Sequence, residues 1–256
     1  MHRRYCLRHG KRAHGFAIAA VMVLTCVLTP GGASRAEPGT PQRPLLLELF
    51  TSQSCSSCPP ADAVLRELAS RGDLLPLAFH VDYWNDLGWV DPFSSAAFTA
   101  RQQAYASVRG FQVYTPQLVV EGKSDVIGSN RSEIDAAIAS ARRAAKNAAS
   151  SIRRRGKDIE IDIGLVGGAG SAVSADVYLL SFDSRDDTRI GGGENSGRSL
   201  VYANVVRSMR KVGEWRNQAM NLTQHLQPGE SGDRLALLVQ DDSGTVWAVA
   251  STASNN

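Results

Sequence analysis

Cys55-Ser56-Ser57-Cys58 sets two thiols three residues apart, and beyond residue 36 the chain has no other cysteine. Such a pair has three physical uses: thiol–disulfide exchange, soft-metal binding, or a plain staple. As a staple it would contribute little. A loop of about four residues constrains the unfolded chain by roughly 2 kcal/mol, against about 4.7 kcal/mol for a 100-residue loop. Structural zinc usually takes four Cys or His ligands, and the sequence has no second CxxC and no nearby HxxxH. Exchange chemistry is therefore the leading expectation, with no cofactor or metal required and with protein thiols or disulfides as partners. An inert disulfide, or Cu(I) held or delivered by Cys55, Cys58 and His80, stays open, as does a binding module whose work is done elsewhere in the chain.

The elements around the pair favour exchange. Leu45–Phe50 is a nearly continuous apolar run that predicts a buried strand, and the chain then loops into Cys55. Ala61, Val64, Leu65, Leu68 and Ala69 recur at helical spacing. The pair therefore sits at a helix N-terminus, where free N–H groups and the helix dipole stabilise a thiolate. Pro59 and Pro60 fit there because the first turn needs few amide hydrogens. On this basis Cys55 is the exposed, attacking thiol. Cys58, one turn further in, is the resolving thiol that displaces the mixed disulfide.

Further along, Leu74–Val81 predicts a second strand, Ser94–Arg109 a helix, and Gln117–Glu121 with Ser124–Ile127 a hairpin. Asn130 with Glu133 caps a helix reaching about Ala148. The order βαβαββα over residues 45–150 implies an α/β layer with a mixed sheet and flanking helices. The run Arg153-Arg154-Arg155-Gly156-Lys157 is expected to be a solvated linker. Beyond it, Asp158–Leu165, Ala172–Phe182, Ser199–Val206, Arg234–Gln240 and Thr245–Ser251 predict a mostly antiparallel β domain over about 155–252. Gly192–Ser199 nearly matches a phosphate-binding loop, but the residues after it predict a strand instead of the helix such a loop must open.

Strand, CxxC, helix, strand, helix and then Tyr114-Thr115-Pro116 before a hairpin resembles the thioredoxin fold over residues 45–148. That resemblance implies a cis Pro116, with Thr115, facing the cysteines and aligning substrate backbone. More closely, Glu48-Leu49-Phe50-Thr51-Ser52-Gln53 with Cys55-Ser56-Ser57-Cys58-Pro59-Pro60-Ala61-Asp62, Phe79-His80-Val81-Asp82-Tyr83-Trp84 and Tyr114-Thr115-Pro116-Gln117 resemble a family of secreted bacterial proteins, domain of unknown function 1223. Glu194-Asn195-Ser196-Gly197-Arg198 and Asn204-Val205-Val206-Arg207 extend the likeness. The family implies fold and compartment but no substrate. Ser54 and the Ser56-Ser57 dipeptide depart from ordinary thioredoxins, so the direction of exchange is left open.

Three further positions bear on the site. Glu48 interrupts an apolar strand just before the pair. The thioredoxin likeness implies that a buried acid beneath the cysteines could serve as their general base, with its pKa raised by burial. His80 should end its strand at the same sheet edge as the CxxC loop. Together with Trp84 and Tyr114 it is a candidate for binding substrate or tuning the thiolate; the alternative is a structural histidine and aromatics that pin a long loop.

The first 36 residues carry Arg3, Arg4, Arg8, Lys11 and Arg12, then an apolar run from Phe16 to Leu28, then Ser34-Arg35-Ala36. This pattern predicts a secretory signal peptide, too short in its apolar part for the roughly 20 residues of a membrane helix; a retained anchor is the alternative. The whole chain has 28 basic and 25 acidic residues, net +3. Without the six basic residues of that segment, it has 22 against 25, net −3. The basic excess thus gives no argument for nucleic acid or an anionic membrane. Residues 37–44 predict a mobile leader. A periplasmic or secreted protein is expected, with no stable membrane insertion after cleavage.

Overall fold

The computed structural model describes residues 43–146, 148–168, 173–230 and 232–253. The expected signal segment and most of the leader lie outside them. Among the described residues no helix is long and apolar enough to cross a membrane.

Strand β1 (Leu45–Thr51) is buried at every position. Both of its faces are covered, which is why it reads as an apolar run without alternation. It pairs in parallel with β2 (Leu74–His80), from Leu45 opposite Leu74 to Thr51 opposite His80. Helix α1 (Pro59–Leu68) makes the crossover between them. Helix α2 (Ala96–Arg109) follows, opened by the Ser95 side chain and closed by Gly110 in the left-handed conformation. The hairpin β3 (Gln117–Val120) and β4 (Ser124–Ile127) then adds to the other side of β1. Helix α3 (Arg131–Ala144) is capped by Asn130, whose side chain accepts from the Glu133 N–H. The order βαβαββα is thus observed over these residues.

The remaining strands are β5 (Ser150–Arg155), β6 (Asp158–Ile163), β7 (Ala175–Arg189), β8 (Ser199–Trp215), β9 (Met220–His225), β10 (Arg234–Gln240) and β11 (Val246–Ser251). The large mixed sheet runs β11-β10-β7-β8-β2-β1-β3-β4, and a second, antiparallel sheet runs β5-β6-β9. The large sheet continues past the boundary expected near residues 150–155, because β8 lies parallel to β2 through Ala78 and Val205. The arginines of the run expected as a linker are instead the second half of β5. Ile152 anchors it in the core, while Arg153 and Arg155 pair across the hairpin with Asp162 and Glu160. Exposed opposite charges on neighbouring strands make a charged run compatible with a sheet edge. Strand β9 was not anticipated; its alternating exposure is short and polar. The glycine-rich segment before Ser199 leads into β8 and opens no helix.

Alternation along β1 sorts the core. Leu45, Leu47 and Leu49 pack with Ala61, Leu65 and Leu68 of α1 and Ile134 and Ile138 of α3. Leu46 and Phe50 face Phe98 and Tyr105 of α2 on the other side. Glu48 shares the α2 side. Its carboxylate accepts from Arg101 Nε at 2.5 Å and from the Tyr105 hydroxyl, and it is fully buried. The turn of β3–β4 meets that of β10–β11: at Gly122, in the left-handed region at φ 63°, a Cβ would lie 2.0 Å from Gly244 O. Nearby, Arg43 and Glu121 form a second buried ion pair, with Arg43 Nη2 and Glu121 Oε2 2.6 Å apart.

Replacing Arg101 by Leu leaves the Glu48 carboxylate buried without a countercharge. Urea titration should find Arg101→Leu less stable by about 3–5 kcal/mol. The double variant Glu48→Leu/Arg101→Leu should recover most of that loss. Equal destabilisation of single and double variants would contradict a buried pair.

Candidate functional site

After Thr51 the chain turns through a hydrogen-bonded loop, Cys55 N donating to Ser52 O at 3.3 Å and Cys58 N to Cys55 O at 3.2 Å. Cys55 and Cys58 form a disulfide with their Cα atoms 5.5 Å apart. Cys58 is the N-cap residue of α1 and Pro59 and Pro60 begin the helix. The first donors to reach back are therefore Ala61 N and Asp62 N, both to Cys58 O.

The expected exposure of Cys55 is not found: both cysteines are 0% exposed. Three segments cover them. Thr115 Oγ1 donates to Cys55 Sγ at 3.4 Å, and Trp84 Nε1 donates to Thr115 Oγ1 at 2.9 Å. Thr115 thus meets the pair directly and Trp84 reaches it through Thr115; the Thr115–Pro116 bond is cis. Ser57 Oγ lies 3.2 Å from Cys55 Sγ. The third segment is the β7–β8 loop. Asn195 Nδ2 donates to Gln53 O at 3.0 Å and to Cys55 O at 2.8 Å, while Glu194 Oε2 accepts from Ser56 N at 2.9 Å. Gly193, in the left-handed region at φ 68°, passes so close that a Cβ would lie 3.0 Å from Ser54 Oγ. Glu194 and Asn195 stand out in the sequence only through family resemblance, because the contact joins segments about 140 residues apart.

The other sequence candidates fall elsewhere. Glu48 is on the wrong face of β1 to reach α1, since side chains alternate across a strand. Thr51, three residues on, is on the α1 face. Tyr114 is half-buried, and its hydroxyl donates to Asp125 Oδ2 of β4 at 3.1 Å. His80 is fully buried, so it presents no surface to a substrate; its Nδ1 donates to Asp91 Oδ2 at 2.7 Å. Trp89 pins the long loop, its Nε1 donating to Gln53 Oε1 at 2.8 Å. Among the described residues, no group of three or more His, Cys, Asp and Glu side chains could hold a metal ion.

The acid beneath the pair is Asp62, which the sequence reading missed. It follows Cys58 by four residues on α1, so the two share a helix face, and it is only 5% exposed. Thr51 Oγ1 donates to its Oδ1 at 2.9 Å. Burial raises the Asp62 pKa to about 7, against the opposing pull of His80 and the Thr51 hydrogen bond. Burial works against a charge on His80, but the Asp91 carboxylate and its hydrogen bond outweigh it, and the His80 pKa is raised. Burial would likewise raise Asp91, yet His80 and the N–H groups of Gln53 and Phe93 hold it below the usual carboxylate range. The legible signal was an acid in the first helical turn, flanked by Ala61 and Leu65 on the buried side.

These features define a mixed α/β protein with a covered CxxC disulfide at a helix N-terminus and a protonatable acid one turn below it. The chain belongs to the family described as Protein of unknown function (DUF1223), whose model matches residues 46–240. It is also similar to a protein from Agrobacterium tumefaciens of known crystal structure, at 31% identity and a TM-score of 0.68, over 83% of this chain and 94% of that one. No curated protein matches the chain.

Two outcomes follow. The folded pKa of Asp62 lies above the ordinary value of 3.8. Its stabilising contribution is therefore complete below about pH 4 and is lost as pH rises through about 7. Denaturant titrations from pH 4 to 8.5 should find wild type losing stability against Asp62→Asn, by up to about 4 kcal/mol in total; parallel curves would refute the shift. Asn195→Ala removes two hydrogen bonds that hold the loop over the pair, about 1–2 kcal/mol. Reduction of the disulfide by a small thiol, followed by thiol labelling, should then accelerate roughly 5–30-fold.

Proposed function

We propose that this protein is a thiol–disulfide oxidoreductase with a thioredoxin-like layout, acting in the periplasm or after secretion on protein thiols or disulfides. The observation that carries this is the Cys55–Cys58 disulfide at the start of α1, met by Thr115 and followed one helical turn on by the buried Asp62. The signal-like first 36 residues support the compartment, since disulfides persist under oxidising conditions. Exposed Tyr83, Leu87, Val90 and Val113, on loops that flank the pair, support a peptide partner.

In the oxidising direction a partner thiolate attacks Cys55 Sγ. The Cys55–Cys58 bond breaks, and its electron pair leaves on Cys58, which takes a proton from Asp62. A second partner thiolate then attacks the partner's sulfur in the mixed disulfide and releases Cys55 as a thiolate that is protonated from solvent. In the reducing direction the Cys55 thiolate attacks a partner disulfide, forming a mixed disulfide and expelling one partner thiolate. The Cys58 thiol then gives its proton to the Asp62 carboxylate and attacks Cys55 Sγ. The Cys55–partner bond breaks, and the partner leaves as a thiolate. Because Cys55 is covered, the segments over it must part before a partner can reach its sulfur.

That same burial favours a second reading, an inert disulfide. The reduction potential separates the two: about −270 to −120 mV is expected for an exchanger, and a value below about −300 mV would mark a structural bond. Copper draws no comparable support, because both thiols are joined in the disulfide and, among the described residues, no group of three or more His, Cys, Asp and Glu side chains could hold a metal ion. In an insulin- or glutathione-coupled assay, Cys55→Ser should abolish turnover and Cys58→Ser should accumulate mixed disulfides. Asp62→Asn should slow resolution at least tenfold near pH 7, as removal of a proton-transfer group does. Wild-type inactivity in both oxidant and reductant assays would end the proposal.

A further inference from the structure

Four buried polar atoms near the disulfide have no hydrogen-bond partner: Gln53 Nε2 of the CxxC loop, Asp62 Oδ2, His80 Nε2 and Tyr202 OH. The last three belong to one neighbourhood. Thr51 and His80 are directly opposite in the parallel β1–β2 pair, and Thr51 holds the other oxygen of Asp62. The His80 and Tyr202 rings meet edge to face with centroids 5.0 Å apart, and Phe93 closes the group at 5.2 Å from His80 and 5.9 Å from Tyr202. Asp62 interacts electrostatically with both His80 and Tyr202. Buried polar groups left alone are costly, and one internal water with two to four partners is the common remedy. A carboxylate oxygen, an imidazolium N–H and a phenol supply an acceptor, a donor and a group able to do either.

We propose that Asp62 Oδ2, His80 Nε2 and Tyr202 OH share one internal water, and that through it His80 and Tyr202 act as positioning residues for Asp62 as the proton acceptor of Cys58. This rests on the exchange reading for its purpose, though the water site does not depend on it. Asp91 fixes the arrangement from behind. It accepts from His80 Nδ1, which leaves Nε2 for the node, a donor while the ring is charged, and it also accepts from Gln53 N at 2.8 Å, tying the node to the CxxC loop.

The charges facing each group fix the signs. Asp62 is faced by His80 of β2, Asp91 of the following loop and Arg66 of its own helix. Tyr202 of β8 feels Asp62, Asp91 and Arg198. His80 is faced by Asp91, Asp62 and Arg207 of β8, and Arg207 is itself bound to Asp183 and Asp186. A positive His80 and a water hydrogen-bonded to the carboxylate both favour the ionised form of Asp62. Removing either must raise the Asp62 pKa.

The test uses the disulfide-bonded protein with carbon-13-labelled aspartate, following the Asp62 carboxyl by NMR from pH 4 to 9, with Asp62→Asn for assignment. Tyr202→Phe deletes one hydroxyl and keeps the ring. It should move the Asp62 midpoint up by about half a unit to one unit, a three- to tenfold change in proton affinity. His80→Gln should move it further, and the double variant should fall short of the sum, because both act through one water. If His80→Gln does not fold, Tyr202→Phe decides alone. An unmoved midpoint in Tyr202→Phe, or strictly additive shifts, would overturn the inference. The reduction potential of each folded variant should change its pH slope at a point that moves with the Asp62 midpoint. A slope change that stays fixed removes the link to Cys58, and a potential below about −300 mV with moved midpoints defeats the exchange reading but keeps the water node.

Discussion

The parallel pairing of β1 with β2, in register to their last residues, is the constraint on which the site depends. It brings Thr51 and His80 side by side at one end of the sheet. The CxxC loop leaves from the first strand and the loop carrying Trp84 and Asp91 leaves from the second. Because α1 crosses over that same face, its first turn sets Asp62 above both strand ends. A one-residue slip would turn Thr51 or His80 to the opposite face and dissolve the cluster.

Two acids that interrupt apolar stretches thus meet opposite fates. Glu48 is paired with Arg101 against α2, where it stabilises the contact between helix and sheet. Asp62 has only a hydroxyl donor on one oxygen and a histidine nearby. The first arrangement holds a charge in place; the second leaves a proton affinity near neutrality. The difference lies in which positively charged group each face supplies.

The β7–β8 hairpin links the C-terminal half of the chain to this chemistry. Its long strands extend the sheet beside β2, and β8 contributes Tyr202 to the cluster beneath the pair. The connecting loop contributes Glu194 and Asn195 above it. The cysteines are consequently enclosed by both halves of the chain, with polar contacts to backbone that a local rearrangement can release.

Much of this was legible in order along the chain. Apolar runs, helical spacing and caps mark β1, α1, β2, α2, the β3–β4 hairpin and α3, because each reflects local geometry acting on neighbouring residues. The CxxC pair and its helix N-terminus were legible for the same reason, whereas Thr115-Pro116 stood out through family resemblance. Contacts between distant segments were not. The sequence does not say that β8 would join β2, that Arg153 and Arg155 would find partners on β6, or that Asn195 would cover Cys55. Nor does it rank Glu48 against Asp62. That choice depends on which side of the sheet each helix covers, and only the tertiary structure decides it, because burial and countercharge are properties of a place and not of a residue.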